Sequence, residues 1–271
     1  MKPFLYATLA AYVVAASHSI LAFVNKRRGA DRVTSISLLL GFLAHTGAII
    51  ADWAQDGHYP LFDLHETISF LAWTLVVAYG LTVYRYQIRA LGVFLLPVVC
   101  LLVFVSNTVR GSSQLAASRV TDGSAAWLFP IHTTILFLAY ASFFVAFAAS
   151  VMYLWQEREL KSKSFGAIFH RLPSLTTIDD IGSTAAGAGF TLLSLGIITG
   201  VIWSSARNGR MWHNDPIEFF ALVTWLLYLT LLHYRTQWRG RKAAWLGVAG
   251  FVLVLCTFAG ALLLGGYHVF G

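Results

Sequence analysis

Nine histidines set the first question, because an imidazole can anchor at a membrane surface, carry a proton or ligate iron. Position sorts them. His132 opens one apolar run and His268 follows the last one. Two imidazoles on opposite sides of one iron are the usual axial pair of a low-spin haem, and side chains facing inward from bundle helices can supply it. The same two residues read equally well as interfacial anchors beside aromatic side chains. His268 also lies close to the C-terminus, where chains fray.

Other residues group around that pair. Trp203 and Trp212 offer flat apolar walls for a porphyrin. Arg110, Arg207 and Arg210 are cations on the same expected face, suited either to anionic propionates or to lipid headgroups. Asp215 precedes Pro216 and Glu218, the pattern of an N-cap with proline at the first helical position and an acid at the positive end of the dipole. Asp63 and Glu66 repeat it earlier in the chain. His45 falls inside an apolar run, which marks either a functional ionisable group or a neutral ring hydrogen-bonded to a neighbouring helix. His233 closes another run, and no role is assigned to His18 or His213. Trp155 and Trp225 read as packing or belt residues.

Several chemistries are excluded. Cys100 and Cys256 stand alone in apolar runs, so there is no CxxC redox pair, zinc site or covalent haem-attachment motif. No nucleophile–base constellation or metal-hydrolase motif is visible, so the expectation is a protein that is not an enzyme. Paired broken helices and inverted repeats are also missing, which disfavours a small-molecule permease.

The elements that must position these residues follow from composition. The chain is 58% hydrophobic and 11% charged, where a soluble domain carries roughly 25% charged residues. Lipid is therefore its expected solvent. Eight apolar stretches can be read, about 3–24, 35–54, 67–84, 91–109, 131–155, 183–203, 217–235 and 244–266. Open strands could not satisfy their backbone in lipid, so these are helices of one all-α transmembrane domain, 1–271. The run before Lys26, Arg27 and Arg28 has its charges on the wrong side for a cleaved signal peptide and counts as the first helix.

The net charge of +7 points to helix orientation rather than to nucleic acid. Basic residues gather in alternate loops: Lys26, Arg27, Arg28 and Arg32; Arg85 and Arg89; Arg158, Lys161, Lys163 and Arg171; Arg235, Arg239, Arg241 and Lys242. By the positive-inside rule that face is cytoplasmic and both termini are outside. His132, His268 and the 204–216 loop then share the outer face, and 156–180 is a solvated cytoplasmic loop.

Four segments carry a family resemblance. They are HYPLFDLHETISFLAW (58–73), PIHTTILFLAYASF (130–143), WHNDPIEFFALVTWLLYLTLLHYR (212–235) and GGYHVFG (265–271). In this order they resemble the cytochrome c assembly family of haem-handling membrane proteins, which includes the CcsA, CcmC and HemX types. The resemblance implies that His132 and His268 ligate a non-covalent b-type haem at the outer face of a bacterial inner membrane. It implies that Trp212, Asp215, Pro216 and Glu218 belong to a tryptophan-rich cradle, and that His233 corresponds to an inner-face histidine tied to a deeper haem position. His45 falls near a family His-Thr. Expected partners are haem, membrane lipid and other cytochrome c assembly proteins. The sequence departs from the exporters at Asn214, where they carry a second tryptophan directly before the aspartate. That departure, the chain length and the 160–180 segment resemble the HemX branch, which implies control of glutamyl-tRNA reductase through the cytoplasmic loop.

Overall fold

A computed structural model describes residues 2–25, 30–61, 63–88, 90–109, 126–163, 166, 169–234 and 237–263. His268, Arg110 and most of the 110–130 loop lie outside the described residues, as do Arg89 and Arg235. Among the described residues there are only helices and connections. Eight helices are long and apolar enough to cross a membrane, as the hydropathy pattern predicts. They are α1 (Lys2–Asn25), α2 (Ala30–Asp56), α3 (Leu64–Tyr86), α4 (Ala90–Thr108), α5 (Leu128–Ser162), α6 (Leu175–Asn208), α7 (Pro216–His233) and α8 (Arg241–Leu263), with a 3-10 turn at Phe169–Arg171. The chain is a multi-pass membrane protein.

Two helices outrun their apolar stretches. α5 continues from the expected 155 to Ser162, and α6 begins at Leu175 rather than 183. The 156–180 segment is therefore helical at both ends, through Ser162 and from Leu175 on, while Leu160–Lys163 is exposed, as its charges suggest. Helical backbone satisfies itself wherever it runs, so beyond the lipid it needs only compatible charges. Glu157 supplies them, with Lys161 Nζ at 2.7 Å one turn on and Arg241 Nε at 3.8 Å. Pro173 lies between the 3-10 turn and α6, and Ser174 caps α6 by accepting from Thr177 N at 3.2 Å.

The helices divide into two compact units, α1–α4 and α5–α8. In the first, α1 packs on α2 and α4, and α4 packs on α3. Its interior holds His45, whose Nε2 lies 2.9 Å from Ser69 Oγ and whose Nδ1 lies 3.4 Å from Tyr12 OH. Trp73 Nε1 donates to Thr46 Oγ1 at 2.9 Å. Glu66 reaches back to accept from Asp63 N at 3.1 Å, which secures the start of α3.

In the second unit α5 is the central helix, packed on α6 and α8, with α7 against α6 and α8. Glycines on α6 set its distance from α5. A Cβ at Gly182 would touch Ala149, one at Gly189 would stand 2.5 Å from Phe143 Cε1, and one at Gly196 would collide with Leu136. These glycines recur every seventh residue, so one face of α6 is notched at the period that keeps a seam facing its partner. Small residues let helix backbones approach closely where lipid supplies no hydrophobic drive. Trp225 ties α7 to α6, its Nε1 donating to Ser194 Oγ at 2.9 Å.

Candidate functional site

His132 lies in the first turns of α5, beside the C-terminal part of α6 and the start of α7. The glycine notches place it. Its ring fills the space over Gly200, where a Cβ would stand 2.5 Å from Cε1 and 2.9 Å from Nδ1. One turn earlier on α6, the Gly196 carbonyl accepts from His132 Nδ1 at 2.8 Å. A carbonyl oxygen only accepts, so Nδ1 carries the proton and Nε2 carries the lone pair. The ring is also stacked near Trp203, with centroids 6.3 Å apart and planes at 22°. Backbone and indole together fix both tautomer and orientation, the arrangement that holds metal-ligating histidines in place.

The imidazole lines a cavity of about 130 Å³. Along α5 its wall is His132, Leu136 and Tyr140, one residue per turn on a single stripe. Other parts of the wall are Trp203 and Ser204 of α6, Met211 and Trp212 of the connecting loop, and Ile217, Glu218 and Ala221 of α7. The wall is mainly apolar with a few polar groups at one end, as is usual for a cofactor site. Pockets that enclose a drug-sized ligand run to roughly 300–1,000 Å³. This one is smaller, and of its lining residues Met211 and Trp212 are the more open, at 65% and 46% exposure.

The loop forming the outer wall is tied down by polar contacts. Gly209 ends α6 at φ 67°, in the left-handed region that favours glycine. Ser204 Oγ donates to Arg210 O at 2.8 Å. Glu218 Oε2 accepts from His213 N at 2.8 Å and from Asp215 N at 3.4 Å, while Oε1 lies 3.1 Å from His213 Nδ1. Asp215 caps α7 by accepting from Ile217 N at 2.9 Å. Asp215 is thus a buried structural residue behind the cavity wall, the role its sequence position predicts.

The structure gathers some of the expected residues and leaves others apart. His132, Trp203 and Trp212 converge. Arg207 joins them indirectly, its guanidinium 5.4 Å from the Trp203 ring centroid. Arg210 is exposed and contributes its carbonyl to the loop. His45 belongs to the first unit, where both ring nitrogens meet hydroxyls, the hydrogen-bonded alternative of the two readings. His233 is exposed at the far end of α7 and packs edge-on to Tyr234. Fifteen residues separate it from Glu218, about 22 Å at 1.5 Å per residue, so it is not part of this cavity. Sequence reading missed Gly196, Gly200, Tyr140, Met211 and the pairing of His213 with Glu218. The signal for the first two was present as GIITG, small residues four apart in an apolar helix.

Asn214 has a backbone explanation. It sits at φ 58°, a conformation asparagine adopts far more readily than bulky residues, and its Oδ1 accepts from Trp212 Nε1 at 3.0 Å. The residue shapes the turn and orients the remaining tryptophan, so it is no marker of a HemX-type branch.

Comparison with known proteins bears on the same point. The family model described as "Cytochrome C assembly protein" matches residues 61–268. "Cytochrome c biogenesis protein CcsA" of Microcystis aeruginosa is 31% identical, covering 88% of this chain and 89% of that protein. The protein of the same name from Guillardia theta is 29% identical, covering 87% and 84%. A solved structure, "Cytochrome c Heme Lyase CcmF", shares the fold at a TM-score of 0.64 and 17% identity. It matches 99% of this chain, which spans 46% of that longer one. These likenesses do not support the HemX branch, and with it the expected partner glutamyl-tRNA reductase loses its basis. The expectation of a non-enzymatic protein gains nothing either, since the solved structure with the similar fold is named a heme lyase. With the family model spanning residues 61–268 and a CcsA protein 31% identical across most of both chains, the chain belongs to the cytochrome c assembly protein family.

Proposed function

We propose that this protein acts in cytochrome c assembly by holding haem in the cavity beside His132. One observation carries the reading. The Gly196 carbonyl accepts a hydrogen bond from His132 Nδ1, which leaves the ring's lone pair on Nε2, and the ring lines a mainly apolar cavity. A group with an iron centre, an apolar ring and anionic side arms fits such a wall. His132 would supply one axial nitrogen and His268 the other, giving a b-type, non-covalent, bis-histidine site. Arg207 and Arg210 stand near the loop to pair with propionates, with Arg110 as a third candidate. Trp203 and Trp212 would flank the ring, and Glu218 would keep the wall in place.

The same reading places the cavity at the outer face of a bacterial inner membrane, with both termini on that side. The supporting observation is the distribution of basic residues along the sequence. Haem and other cytochrome c assembly proteins are the partners it implies.

The test is the absorption spectrum of the purified protein, oxidised and then reduced, for wild type, His132→Ala and His268→Ala. A sharp Soret band with resolved α and β bands in wild type, lost or broadened in either variant, supports the assignment. A wild-type protein that stays colourless after haem is added overturns it.

A further inference from the structure

A second, smaller cavity of about 40 Å³ lies at the other end of the α5–α8 unit. Its wall includes Ser150 and Tyr153 of α5, Asp179 of α6 and Leu231 of α7. By the roughly 10–15 Å³ that one water needs, it has room for a few. The two cavities lie along one stripe of α7. Ile217 and Ala221 line the first, Leu231 lines the second, and Thr224 and Tyr228 fall between them at alternating spacings of four and three.

Those two intervening side chains are polar. Thr224 is 1% exposed and Tyr228 is 0% exposed. Neither Thr224 Oγ1 nor Tyr228 OH has a hydrogen-bond partner among the described residues. A buried hydroxyl without a partner is costly, and in a membrane interior there is no bulk water to relieve it. Two such groups one turn apart have Cβ atoms about 5–6 Å from each other, a span that one water can bridge.

The neighbouring helix continues the pattern. A Cβ at Gly250 would stand 2.7 Å from Tyr228 OH, and one at Gly247 would collide with Ser150 Oγ. Gly240, just before α8, meets Tyr153 OH in the same way, at 2.5 Å. Three glycines thus face three hydroxyls, and two of those hydroxyls already line the second cavity. Bare backbone on this side leaves the hydroxyls of Tyr228 and Ser150 one helical turn apart along α8.

We infer that the seam between α5, α7 and α8 binds ordered water, with Thr224 Oγ1 and Tyr228 OH as its hydrogen-bonding posts, linking the two cavities by a hydrated thread. The Phe143 and Tyr228 rings are stacked at 3.9 Å and 13° across this seam. While that stack holds, the seam is closed to anything as wide as a tetrapyrrole. It stands apart from the assignment of haem to the His132 cavity.

Radiolytic hydroxyl-radical footprinting of the full-length protein, read by mass spectrometry, tests this inference, because bound water generates the radical where it sits. Tyr12 is the control, equally buried at 0% exposure but with its hydroxyl beside His45. Tyr228 is expected to be modified at least about tenfold faster than Tyr12, and Thr224→Val is expected to lower that rate. Equal rates at Tyr228 and Tyr12 in the wild-type protein overturn the proposal and leave two orphan hydroxyls in a dry core. A Tyr228 rate unchanged in Thr224→Val overturns the role of Thr224 as a post.

Discussion

The Gly196 carbonyl and the His132 imidazole are joined by a 2.8 Å hydrogen bond between α6 and α5, and the ring beyond it rests on Gly200. Substitution at Gly200 should therefore act on His132 without removing it. Gly200→Ala sets a methyl group against Cε1 and Nδ1, so the ring must shift or lose its bond to the carbonyl. Loss of such an orienting contact typically lowers affinity for a bound metal group about 10–100-fold. Haem titration of Gly200→Ala against wild type measures it; equal affinities would show that the ring's orientation is irrelevant.

Gly189 and Gly187 make a matched pair for stability. A Cβ at Gly189 presses on Phe143, whereas one at Gly187 meets nothing within 4 Å. Gly189→Ala should destabilise the protein by about 1–3 kcal/mol through overpacking. Gly187→Ala should be neutral or raise stability by up to about 1 kcal/mol, as alanine does in a helix. Thermal unfolding in detergent compares the two, and identical effects would contradict the α5–α6 interlock.

Glu218 anchors the loop that carries Met211 and Trp212. Glu218→Ala removes the acceptor of two backbone amides and the partner of His213. The expected result is faster proteolysis within 209–215 and weaker haem retention. Asp215→Ala should cost about 0.5–2 kcal/mol of stability through loss of the cap. It should disturb haem retention less, because Asp215 does not line the cavity. Limited proteolysis together with haem off-rates separates the two effects.

His233 gives the opposite expectation. It stands about 22 Å along α7 from Glu218 by helical rise, so His233→Ala should leave the Soret band assigned to the His132 cavity unchanged. A lost or shifted Soret band in this variant would place haem elsewhere in the unit.

What the sequence displayed, and what it hid, follows from the solvent. Lipid forces every spanning segment to be apolar and helical, so all eight helices were legible from hydropathy. The ends of α5 and α6 were not, because Glu157, Lys161, Asp179 and Asp180 lie where hydropathy no longer reports on structure and only capping and charge pairing do. His132 could be found because a histidine at the head of an apolar run is conspicuous. Its orientation could not, since the partner is a backbone carbonyl 64 residues away that no side-chain pattern advertises. The GIITG spacing marked a close approach without naming what approaches. Asn214 misled because a side-chain motif was compared where a backbone conformation governs the choice of residue.

The seven-residue recurrence of glycine along α6 has a mechanical consequence. Ala149, Phe143 and Leu136 of α5 seat against Gly182, Gly189 and Gly196 in antiparallel order, and His132 seats against Gly200. Teeth set in matching notches cannot slide by a single residue; the helices would have to part before either could move along the other. α5 and α6 therefore act as a toothed beam, with the imidazole as its last tooth. Any widening of the cavity is then left to the wall opposite, the 209–215 loop and the head of α7, where the fastening is polar and can be undone one hydrogen bond at a time.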